Sequence, residues 1–140
     1  MFAGLIAGAV FMMAEMGLVA LAGDSPWGPP RMIAAMVLGP SVLPPPASFD
    51  LVVLMTAMMV HFPLSILLAV VATPILARTS LLPALAAGTA FGLLVYVVNF
   101  YGFSIIWPWF EMARNVISIA SHAMFGLVLA LSLKLLTQDK

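Results

Sequence analysis

Four stretches of this chain, Phe2 to Ala22, Leu51 to Thr73, Leu82 to Ile106 and Val116 to Leu136, are apolar almost throughout, and none holds more than one Asp, Glu, Lys or Arg. About 20 helical residues cross the roughly 30 Å of bilayer hydrocarbon, so each stretch is long enough to span. Backbone polar groups at that depth must be satisfied within the membrane. Runs of this length do so as helices, not as the shorter alternating strands of a barrel. Composition agrees, since 7% of the 140 residues are charged against about 25% in soluble domains. The expected fold is an all-α integral membrane protein, one membrane domain over 1–140 with four transmembrane helices at about 2–22, 51–73, 82–106 and 116–136. Its solvent is the lipid bilayer.

The same counts exclude several functions. A formal net charge of +0 with no Lys/Arg run leaves no electrostatic footprint for nucleic acid. The absence of Cys removes disulfides, thiolate nucleophiles and Cys-ligated zinc or iron–sulfur clusters. No phosphate-binding glycine loop, nucleophile elbow, HExxH or paired carboxylates are present, and the polar segments are too short for a soluble catalytic domain. The chain reads as non-catalytic.

Between the first two spans lies an interfacial loop, residues 23–50, holding Pro29-Pro30 and Pro44-Pro45-Pro46 around the apolar stretch Arg31 to Leu38. Proline punctuation predicts a helix of about two turns there, lying at the interface or dipping in and returning. The first run reads as a span and not a cleaved secretory signal, because no Lys or Arg precedes it and Glu15 interrupts it. With both termini cytoplasmic, Arg78, Lys134 and Lys140 lie inside against Arg31 and Arg114 outside, in the sense of the positive-inside rule. That orientation puts Trp27, Trp107 and Trp109 at the outer interface, where indoles favour the headgroup region.

The chain also echoes itself. Leu5-Ile6-Ala7-Gly8-Ala9-Val10-Phe11 resembles Leu85-Ala86-Ala87-Gly88-Thr89-Ala90-Phe91 at an offset of 80 residues. His61, Ser65 and Ala69 are matched by His122, Gly126 and Ala130. Each half would be a hairpin carrying one histidine, the two halves forming a parallel repeat about an axis along the membrane normal.

Ionisable side chains within the hydrocarbon are the best functional pointers in such a chain. Counted from the outer helix ends, Glu15, Asn99 and His122 fall about 10 Å deep and His61 about 15 Å, close to one layer. Three readings follow. The four side chains hydrogen-bond across helices and fix the bundle, at about 0.6 kcal/mol per bond. Alternatively, His61 and His122 are the axial ligands of one b-type haem, with Gly126 leaving room for the porphyrin. In the third reading Glu15 carries a proton or small cation, in a homo-oligomer, with the histidines as relay partners. Zinc would need Glu15 beside both histidines as a third ligand, and copper a clustering of Met that the sequence does not show. No metal site is expected, and a cofactor is not expected unless it is haem.

Gly4 with Gly8, and Ala84, Gly88 and Gly92, form small-residue faces that permit close helix approach, within the chain or to another protein. Glu111 and Arg114 stand at i and i+3 beside Trp107 and Trp109, as a solvated interfacial ion pair worth little.

The order of Gly4-Leu5-Ile6-Ala7-Gly8, His61 with Ser65, Ala87-Gly88, and Pro108-Trp109-Phe110-Glu111 ahead of a helix carrying His122 resembles the YagU-like small bacterial inner-membrane proteins. The resemblance implies a multi-helix protein of the bacterial inner membrane whose biochemical role is essentially unassigned. Minimal loops and small-residue faces add the expectation of an accessory or scaffold subunit bound to other membrane subunits of a larger, respiratory-type assembly.

Overall fold

The computed structural model describes residues 1–138, so Lys140, counted above as an inner charge, lies outside the described residues. Five α-helices carry the fold: α1 (Phe2–Leu21), α2 (Gly28–Leu38), α3 (Leu51–Leu76), α4 (Leu81–Val97) and α5 (Val116–Gln138). There is no strand among the described residues. Four segments are long and apolar enough to cross a membrane: α1, α3, α4 with its short continuation to Ile105, and α5. This is an all-α, four-span membrane protein.

The spans differ from the sequence reading at two ends. α3 continues to Leu76 with Pro74 inside it, beyond the expected stop at Thr73. The third span is not one regular helix. It loosens into a π-turn over Val98–Gly102 and then tightens into a 3-10 turn over Phe103–Ile105.

α2 also corrects the sequence reading. Pro29 and Pro30 stand in its first turn, where a missing N–H breaks no intrahelical bond, so they open the helix and leave room for 11 residues. α2 packs on the start of α3, with Ala34 buried against Val53 and Ala57. The loop behind it is held by Arg31, whose Nε and Nη1 donate to the carbonyls of Ser48 and Val42, each at 3.0 Å.

Small residues set the helix contacts. A Cβ on Gly4 would stand 2.9 Å from Ala69 Cβ, one on Gly8 2.7 Å from Ser65 Oγ, and one on Gly88 2.7 Å from Ala130 Cβ. One on Gly92 would run into the His122 carbonyl. Both small-residue faces are thus consumed within the chain, α1 on α3 and α4 on α5, and α1 packs on α5 between them.

The echo between the halves is visible in these contacts, with its register shifted. Gly4 meets Ser65 and Ala69 as Gly88 meets Gly126 and Ala130, and Gly8 meets His61 and Ser65 as Gly92 meets His122 and Gly126. The spatial offset along the first helix of each pair is 84 residues, one helical turn beyond the 80 of the sequence match. In that register Glu15 corresponds to Asn99.

Candidate functional site

Towards the loop end the bundle is not filled. A cavity of about 410 Å³ opens among the C-terminal half of α1, the middle of α3, the end of the third span and the start of α5. α2 and the 3-10 turn Pro108–Ala113 close over it, contributing Met32, Met36 and Phe110. Trp109 Nε1 donates to the Met32 carbonyl at 3.0 Å and ties the two cover segments together. Towards the termini the bundle is closed by a core that includes Ala69, Ala72, Leu129 and Ala130, with a void of only about 50 Å³ beside it. The volume falls in the range of small-molecule pockets, roughly 300–1,000 Å³.

All four side chains singled out by the sequence line this one cavity: Glu15, His61, Asn99 and His122. Glu15, His61 and His122 are buried, at 7%, 8% and 4% exposure, and Asn99 is partly buried. Glu15 Oε1 accepts from Ser118 Oγ at 2.8 Å in the first turn of α5, where a helix N-terminus favours negative charge. Its Oε2 is buried without a hydrogen-bond partner.

Each histidine is held by its own set of partners. His122 Nδ1 donates to the Ser118 carbonyl at 2.7 Å, and Asn99 Nδ2 donates to His122 Nε2 at 3.2 Å, a pairing that requires the Nδ1–H tautomer. Phe11, Tyr96 and Phe100 surround that imidazole at centroid distances of 4.8, 5.6 and 5.4 Å. His61 Nε2 donates to the Gly8 carbonyl at 2.9 Å, and Ser65 Oγ donates to the His61 carbonyl.

Asn99 reaches His122 from the π-turn, an irregularity of the kind often found at functional sites. Arg114 supports that turn. Its Nε donates to the Phe100 carbonyl at 2.8 Å, its Nη2 to Ser104 Oγ at 2.9 Å, and its guanidinium lies 4.3 Å from the Tyr101 ring centre. The ion pair with Glu111 exists at 3.2 Å, and Arg114 differs from a merely solvated partner because it also satisfies the Phe100 carbonyl. Of the remaining interfacial residues, Trp107 lines the cavity, while Trp27 packs on Phe49 with ring centres 4.9 Å apart.

The haem reading meets a steric difficulty. The Phe11 ring stacks on His61 at 5.4 Å and meets His122 edge-on at 4.8 Å, so a phenyl ring occupies the contact space of both imidazoles. The Nε2 lone pair of His122 is already used by Asn99. Two axial ligands need free lone pairs facing across an open slot of porphyrin thickness, which this arrangement does not offer. Among the described residues no three His, Asp or Glu side chains converge as a metal site.

Sequence reasoning missed Ser118, Phe11 and Lys134. Ser118 precedes His122 by one helical turn, a spacing that was available to find it. In the sequence Phe11 enters only as the last residue of the repeated segment, and Lys134 only as an inner charge. No family model matches this chain, and no curated protein or solved structure is significantly similar to it.

Proposed function

We propose that this multi-pass membrane protein is a binding protein that holds a small, largely apolar molecule in the loop-end half of the membrane. The observation that carries the reading is the cavity itself, about 410 Å³ with Glu15, His61, Ser65, Asn99, Asn115 and His122 on an otherwise apolar and aromatic wall. Apolar walls with a few placed polar groups are what small-molecule sites share. The core that closes the bundle towards the termini favours a pocket with one mouth over a pore through the chain.

The accessory-subunit reading loses the small-residue faces that supported it, since both are occupied inside the chain. The resemblance to YagU-like proteins, with Arg78 and Lys134 at the termini end, supports a bacterial inner membrane with cytoplasmic termini. The pocket would then lie in the outer half of that membrane.

Native mass spectrometry of the chain released from its own membrane in mild detergent tests this. The expected result is a small-molecule mass on the wild-type chain that is absent from Met36→Trp and Ile33→Trp, whose indoles would intrude on the ligand's space. Equal bare masses for all three chains overturn the reading.

A further inference from the structure

The charge arrangement around the cavity narrows its ligand, on the premise that the cavity is a binding pocket. Among the described residues Glu15 is the one acidic side chain on the wall, and no Lys or Arg lines it. The two arginines at this end of the molecule are turned away. Arg31 is spent on the carbonyls of Ser48 and Val42, and Arg114 on the Phe100 carbonyl.

Glu15 has one oxygen paired with Ser118 and the other buried and unpaired. A buried acceptor without a donor is costly, and more so when it carries charge, so a cation held beside this carboxylate is favoured. Five aromatic rings share the wall with it: Phe11, Phe100, Phe103, Trp107 and Phe110. Aromatic faces attract cations through their quadrupole, most strongly where water is excluded.

We infer that the pocket selects a hydrophobic ammonium compound, a protonated amine on an apolar or aromatic body, with the Glu15 carboxylate balancing the ammonium charge and the rings receiving the body. An anion would find a carboxylate and no counter-charge. A neutral alcohol could donate to Glu15 but would gain little from the ring faces.

The chain has no native Cys, so a single Met36→Cys thiol on the cavity wall can be labelled without background. Its reaction with methyl methanethiosulfonate, a small neutral reagent, is followed in detergent-solubilised protein. 2-Naphthylmethylamine, 2-naphthylmethanol and 2-naphthoate then compete in turn. The expected result is protection by the amine at about tenfold lower concentration than by the alcohol, with no protection by the carboxylate. In Glu15→Gln the amine's advantage should disappear.

Equal protection by amine and alcohol, or better protection by the carboxylate, overturns the ammonium inference and leaves the pocket standing. A thiol that does not react at all, or that none of the three compounds protects, overturns the pocket reading as well. The comparison of the three compounds on Met36→Cys alone decides the matter even if Glu15→Gln fails to fold.

Discussion

Trp109 Nε1 donates to the carbonyl of Met32 at 3.0 Å, joining two segments 77 residues apart in the chain. The bond stitches α2 to the turn before α5 and so fixes the two cover segments to each other. Trp109→Phe keeps a ring and removes the donor. It should cost about 1 kcal/mol of stability, the usual net value of one such bond, and speed labelling of Met36→Cys. Labelling at an unchanged rate would mean that the bond does not restrain the cover.

The α4–α5 contact depends on the absence of side chains. Gly92→Ala puts a methyl group against the backbone carbonyl of His122, which a helix cannot move without shifting the whole interface. The expected loss is about 1–3 kcal/mol, as for other overpacked cores. Gly17 has no atom within 4 Å of a new Cβ, and Gly17→Ala should be neutral or slightly stabilising through helix propensity. Thermal unfolding of both variants in one detergent checks the contrast.

Ser118 supplies the single hydrogen bond that Glu15 receives. Ser118→Ala therefore leaves both carboxylate oxygens buried and unpaired, at an expected cost of about 1–3 kcal/mol. Once Glu15→Gln is present the carboxylate is gone and the serine matters less. The double variant should then fall short of the summed single losses, a coupling that unfolding measurements on the three chains would show.

At the opposite end, Lys134 Nζ donates to the carbonyls of Ala77, at 3.0 Å, and Thr79, and so places a cation at the C-terminus of α3. Lys134→Met keeps the aliphatic stem and loses the charge. A loss of about 1–2 kcal/mol is expected, with no change in labelling of Met36→Cys, because the cavity lies at the other end.

The sequence carried the spans because hydropathy over 20 residues is a strong, local signal, and it carried Glu15, His61, Asn99 and His122 because polar side chains in hydrocarbon are rare. It did not carry the cavity. Nothing local distinguishes Met36, which lines it, from Val37, which is exposed on the same helix. The π-turn was also hidden, since Val98–Gly102 reads as an apolar continuation of α4 and its support, Arg114, comes from a later segment. The internal echo was legible in composition but not in register, because Ala and Gly recur every turn and allow a match one turn away from the spatial one.

α3 faces the cavity on one side and presents exposed apolar side chains on the other. Single cysteines at Val60 and Leu64, on the cavity wall, and at Met59 and Leu67, 74% and 58% exposed on the outer surface, test this directly. A thiol reacts as its thiolate, which needs water or a polar neighbour. In native membranes, a water-soluble maleimide should label positions 60 and 64 and leave 59 and 67 unlabelled. Labelling at 59 and 67 with inert 60 and 64, or no difference among the four, would contradict the account.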